Sequence, residues 1–207
     1  MKTKFSAAVA GILVLLLAGC SSELKITLNS GGDVDIMFSA GASSAIGKMM
    51  SSFGGEEFRI DTDEIGYELA KSGFSDVKAT TRTGTDLTVK MSDKKRNSYL
   101  FTSGILSCEG KKLTLALSPE KLGGFYNSAD EQTKSFLDLL LAPVFNGETM
   151  SEAEYTETLA SFYGNEAAEE IGKSAITIKL SDFSGRNTEM TLPLPKLLAL
   201  TEEIRSN

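Results

Sequence analysis

Histidine and tryptophan are both missing from this 207-residue chain. Without histidine there is no Ser–His or Cys–His pair for nucleophilic hydrolysis, and the commonest zinc ligand is gone. A Ser–Lys pair is the remaining hydrolytic route, but Thr102-Ser103-Gly104, the nearest approach to a nucleophile elbow, lacks the flanking glycine. Without tryptophan, the aromatic platform common in sugar sites is lost, although paired carboxylates for glycoside chemistry stay open as an alternative. Basic residues are outnumbered, 21 Lys and Arg against 28 Asp and Glu, for a net charge of −7, which argues against nucleic acid as a partner. Gly54-Gly55 and Gly123-Gly124 are isolated pairs, not phosphate-cradling loops. After the first twenty residues, no apolar run approaches the length of a spanning helix.

Those first twenty residues carry the strongest motif. Lys2 and Lys4 precede an unbroken run of apolar and small residues, Phe5–Leu17, which Leu17-Ala18-Gly19-Cys20 closes. Basic, apolar and small-residue regions in that order make a secretory signal. Its last four residues resemble the lipobox of bacterial lipoproteins. The resemblance implies cleavage before Cys20, lipid on the Cys20 thiol, and a chain tethered to a membrane of the cell envelope. Ser21 follows where many inner-membrane lipoproteins carry aspartate, so the sorting pattern points to the outer membrane, facing the periplasm or the surface. Residues 20–23 are then a short lipidated tether and 24–207 one domain. Cleavage removes Lys2 and Lys4 and no acid, so the mature chain is more acidic still. With Cys20 acylated, Cys108 is the one free thiol, and an intramolecular disulfide is excluded. Beside the turn at Glu109-Gly110, it reads as a small hydrophobe packed in a strand.

Leu24–Leu28 and Val34–Phe38 alternate on either side of Asn29-Ser30-Gly31-Gly32-Asp33, which predicts a hairpin. Ile46, Met49, Met50 and Phe53 recur at helical spacing over Ala42–Phe53. A second helix starts at Asp61 or Thr62 and ends at Gly73. Four strands follow as a meander: Val77–Thr83, Leu87–Met91, Tyr99–Cys108 and Leu113–Leu117. Next comes a helical insertion around 128–171. Ser128 with Glu131, and Ser151 with Glu154, have capping-box spacing for helices over Ser128–Leu141 and Ser151–Tyr163. Glu166–Ile171 extends that helical layer. Ala175–Leu180 and Glu189–Leu194 predict a last hairpin, with Pro193 and Pro195 confining the final strand to an edge. Leu197–Ile204 closes the chain as a short helix or cap. The class expected is α+β, an antiparallel sheet of hairpins with helices packed on one face. This layout of early hairpin, helix and antiparallel strands is similar to that of LppM-like lipoproteins, a likeness that carries over no functional residue.

Asp61-Thr62-Asp63-Glu64 could offer oxygens to calcium but lacks the twelve-residue loop, and acids at a helix start satisfy free N–H groups. No metal and no cofactor is expected. The apolar residues Met49, Phe53, Phe136 and Leu140 are core candidates, or alternatively the lining of a pocket for a hydrophobic ligand. The expectation is a non-enzymatic, membrane-anchored binding or assembly protein with an envelope protein as partner. The alternative is a carrier or sensor of a lipid or other hydrophobic ligand.

Overall fold

The computed structural model describes residues 22–41, 60–129 and 131–206, without the side chains of residues 132, 133 and 136. The signal segment, Cys20 and the helix expected over Ala42–Phe53 lie outside the described residues.

Strands β1 (Ser22–Leu28) and β2 (Val34–Gly41) form the predicted hairpin, with Leu28 opposite Val34. Its turn needs glycine at position 32. The backbone is left-handed there (φ +87°), and a Cβ would sit 2.7 Å from the Arg96 guanidinium. The Nε of Arg96 in turn donates to the Gly32 carbonyl at 2.8 Å. Helix α1 (Thr62–Lys71) is capped by Asp61, whose carboxylate accepts from the Asp63 and Glu64 N–H groups. It buries Ile65 and Leu69. Strands β3 (Ser75–Thr80) and β4 (Asp86–Asp93) make a second hairpin.

The strand expected over Tyr99–Cys108 is shorter in the structure. Residues Tyr99–Thr102 form one helical turn, α2, and β5 (Leu106–Glu109) starts only after Gly104, at φ +73°. Local hydrogen bonds outcompete the strand here. The Asp93 carboxylate accepts from Asn97 and Ser98 N–H, and the Thr102 and Ser103 hydroxyls donate to carbonyls of the preceding turn. Strand β6 (Lys112–Leu117) pairs with β5 as expected. That hairpin does not continue the meander, however; it belongs to a separate three-stranded sheet completed by β9 (Ile204–Arg205).

The helix expected over Ser128–Leu141 is present but shorter, and a helix that was not expected precedes it. Helix α3 (Pro119–Ser128) starts with proline in its first turn behind a Ser118 cap, and α4 covers Glu131–Asp138. Ser128 is the last residue of α3 and gives its hydroxyl to the Phe125 carbonyl at 2.8 Å, so no capping box joins it to Glu131. A short α5 (Pro143–Asn146) precedes α6 (Glu152–Tyr163), where the predicted Ser151–Glu154 capping box is present. Gly164 breaks α6 from α7 (Asn165–Lys173). Strands β7 (Ala175–Ser181) and β8 (Asn187–Pro193) then pair, and α8 (Leu194–Leu198) leads to β9.

The fold is α+β. Its six-stranded sheet has the order β3-β4-β2-β1-β7-β8, with Pro193 on an edge strand as expected. Antiparallel hairpins build it, and one parallel pairing, β1 with β7, joins them, Leu24 lying opposite Ile178. The sequence pattern gave no sign of that pairing. One buried cluster connects the sheet's apolar side (Ile26, Ile36, Phe38, Val89, Ile178) with Leu69, Leu137, Leu140, Leu159 and Ile171 of the helical parts. Each of these large side chains contributes about 1.5–3 kcal/mol by leaving water. Tyr155, fully buried among them, donates its hydroxyl to the Leu140 carbonyl at 2.8 Å. Among the described residues no helix is long and apolar enough to cross a membrane.

Candidate functional site

Strand alternation sends every second residue of the large sheet to the side opposite the core. On β1 these are Glu23, Lys25 and Thr27; on β2 Asp35, Met37 and Ser39; on β4 Thr88, Lys90 and Ser92. The register then lines up residues that are distant in sequence. Lys78 lies opposite Lys90, Lys90 opposite Met37, Met37 opposite Lys25, Lys25 beside Lys179, and Lys179 opposite Glu189. A row with four lysines therefore crosses all six strands. Hydroxyl-rich rows flank it. Thr88, Ser39 and Thr177 stand on one side, and Ser92, Thr27 and Ser181 on the other.

Of the acids on this face, Glu189 has no ion pair among the described residues, and the others are engaged. Glu23 pairs with Lys179, and Asp76 with Lys94 at 2.8 Å. Asp35 accepts from the Ser92 hydroxyl at 2.7 Å and from the Asn29 amide at 2.8 Å. The Ser92 bond, then the Asn29 bond, hold its carboxyl below the usual carboxylate range, and the cation acting on it is Lys94. Among the described residues, no carboxylate lies within ion-pair distance of Lys25, Lys78 or Lys90, all three of them exposed. The acidity of the chain sits elsewhere. Helices α6 and α7 carry Glu152, Glu154, Glu157, Glu166, Glu169 and Glu170 against one lysine. Lys25, Thr27, Asp35, Met37, Lys90 and Ser92 line a shallow depression of about 350 Å³ in the open face, closed on one side by Asp76.

A larger cleft of about 680 Å³ runs between the start of α6 and the segment after α8. Two of its acids are committed, while Glu152, Lys196 and Glu202 on its lining have no ion pair among the described residues. Glu154 closes the capping box with Ser151, and Glu203 pairs with Arg205 at 2.9 Å and Lys121 at 3.6 Å.

Leu140, expected to line a pocket, is instead buried in the core and lines neither cleft. Met49 and Phe53 lie outside the described residues, as does the side chain of Phe136, so the four are not brought together. Cys20 is outside them too. Cys108 is half-buried on β5 opposite Leu113, and burial pushes its thiol pKa up, which keeps it protonated and unreactive at neutral pH. Ser103 spends its hydroxyl on the Tyr99 carbonyl at 2.6 Å. The Asp61 cluster acts as a helix cap, and among the described residues no three Cys, Asp or Glu groups could hold a metal ion.

The lysine row escapes a reading of the sequence, although each lysine sits in the polar phase of an alternating strand. Only strand order makes them neighbours. Comparison of the chain with protein-family models, with curated proteins and with solved structures finds no match.

Proposed function

We propose that this is a membrane-anchored, non-enzymatic binding protein of the cell envelope that engages its partner through the open side of the six-stranded sheet. The lipobox-like Leu17-Ala18-Gly19-Cys20 supports the anchor, and Ser21 supports the outer membrane as its destination. The observation that carries the binding surface is the lysine row, in which Lys78 lies directly opposite Lys90 and Lys25 stands beside Lys179, whose own charge is met by Glu23. Like charges set directly opposite one another lower the stability of a sheet. An acidic chain that keeps such a pair, Lys78 with Lys90, gives up local stability for something outside itself. Binding is favoured over catalysis because the hydroxyl bonded to a carboxylate on this face, Ser92 to Asp35, meets a carboxyl held below the ordinary range, which makes it a weak base.

Two measurements test this reading. Metabolic labelling with an alkyne palmitate analogue is expected to mark the wild-type chain and to be lost in Cys20→Ala. The mature chain carrying Cys20→Ser cannot take lipid; it is expected to sediment with purified envelopes, and Lys25→Gln/Lys90→Gln to abolish that. Unlabelled wild type removes the anchor. Sedimentation that ignores the lysine variants removes the binding face.

A further inference from the structure

We infer that the open sheet face takes an anionic glycan lying across the strands along the lysine row. The inference rests on the reading of this face as a binding surface and adds the chemical class of the partner.

Charge comes first. Glu23 and Asp76 are paired with lysines, Asp35 is held by the neutral Ser92 and Asn29, and Glu189 ends the row without an ion pair; Lys25, Lys78 and Lys90 have none either among the described residues. The uncompensated charge of the row is positive, although the chain as a whole carries −7. Spacing comes next. Neighbouring strands lie about 4.8 Å apart, which puts Lys78 and Lys90 about 5 Å from each other and Lys90 about 10 Å from Lys25 across Met37. A small anion would reach one lysine pair. A linear polymer with an acidic group on successive sugars meets all of them, because its charges recur on the same scale as the strands.

The flanking rows supply the rest of the recognition. Ser39 and Thr88 on one side, and Thr27 on the other, present hydroxyls that both donate and accept; Ser92 and Ser181 donate to Asp35 and Asn187 and keep acceptor capacity, and Thr177 shares a bond with Thr191. That suits sugar hydroxyls along a chain lying between them. Met37 is the one apolar side chain in the row, and no aromatic ring stands in any of the three rows. Stacking of bases or of neutral sugar rings therefore has no platform here, and recognition falls to charge and hydrogen bonding. Location fits as well. Lys25 is five residues from Cys20, at most about 18 Å of extended chain, so on an acylated protein the row stays close to the bilayer surface.

The test measures binding of the Cys20→Ser mature chain to polygalacturonate, with dextran as neutral glycan, poly-glutamate as acidic polypeptide and phosphatidylglycerol vesicles as anionic lipid. Polygalacturonate is expected to bind and dextran not. Raising salt from 50 to 200 mM is expected to weaken binding roughly twentyfold, as neutralising three charges on a single strand implies. Lys25→Gln/Lys78→Gln/Lys90→Gln is expected to lose at least as much, with an unchanged or raised melting temperature showing that the sheet is intact. Ser39→Ala/Thr88→Val is expected to lose affinity several-fold while keeping the salt dependence. Equal or tighter binding to poly-glutamate, binding to vesicles without polygalacturonate, or indifference to the lysine variants overturns the inference. Envelopes bound through the lysines without binding of polygalacturonate discard the glycan and leave the binding face standing; loss of both discards both.

Discussion

Neutralising Lys25 and Lys90 together separates a binding row from a structural one. Side chains directly opposite across two strands have Cβ atoms about 5 Å apart, and flexible lysines splay their ammonium groups to about 6 Å. At that distance two unit charges in water repel by about 0.7 kcal/mol. Ionic strength of 0.15 M, with a screening length of about 8 Å, roughly halves this. Lys90→Gln removes the repulsion from Lys78, whereas Lys179 is already paired with Glu23, so Lys25→Gln adds little. The double variant is therefore expected to be more stable by about 0.3 kcal/mol, or about 1 °C in melting temperature for a chain of this size. At 10 mM salt the gain should approach about 0.6 kcal/mol, because screening then reaches well beyond the pair. Calorimetric or dichroism melts of the Cys20→Ser mature chain at both salt concentrations measure it directly. A fall of several degrees in the double variant, or a gain indifferent to salt, would mean that these lysines hold the sheet together, and the argument for an external anion would fail.

Two further outcomes follow from buried and capping groups. Tyr155→Phe leaves the buried Leu140 carbonyl without its donor and is expected to cost about 1–3 kcal/mol in urea unfolding; a loss below about 0.5 kcal/mol would show that the bond is not needed. Asp86 accepts from the Thr83 hydroxyl at 2.5 Å, from the Thr83 N–H at 2.6 Å and from the Arg82 N–H at 3.0 Å. These bonds, the Thr83 hydroxyl first, hold its carboxyl far below the ordinary range. A depressed carboxylate adds stability above its unfolded pKa of about 4, and that stability drains away as acidification approaches the folded value. Asp86→Asn is expected to flatten the melting-temperature profile below about pH 4, and an acid limb unchanged from wild type would refute that role for Asp86.

Local chemistry was legible wherever neighbouring residues decide the outcome. The Asp61 cap, the Ser151–Glu154 box, the stop at Gly164 and the hairpins β1–β2 and β7–β8 follow from hydrogen-bonding capacity and alternation within a dozen residues. Competition between equally local signals was not legible. Ser128 looked like a cap because Glu131 lies three residues on, yet Pro119 and Ser118 had already started the preceding helix, which uses Ser128 to finish. Tyr99–Leu106 has the apolar content of a strand, but the Asp93 carboxylate and the hydroxyls of Thr102 and Ser103 close it into a turn first.

The candidate site divides along the same line. The amino-acid sequence by itself determined that the chain has no histidine chemistry, that it opens with a lipobox-like signal, and that Lys25, Lys78, Lys90 and Lys179 occupy alternating segments. Tertiary structure decided that those segments are neighbours. The parallel joint between β1 and β7 brings together residues about 150 positions apart in the chain, and β2 stands between β1 and β4. Alternation is a property of one strand and can be read from it. Strand order depends on which apolar faces find each other when the whole core closes, so a row of charges across six strands exists only once the chain has folded.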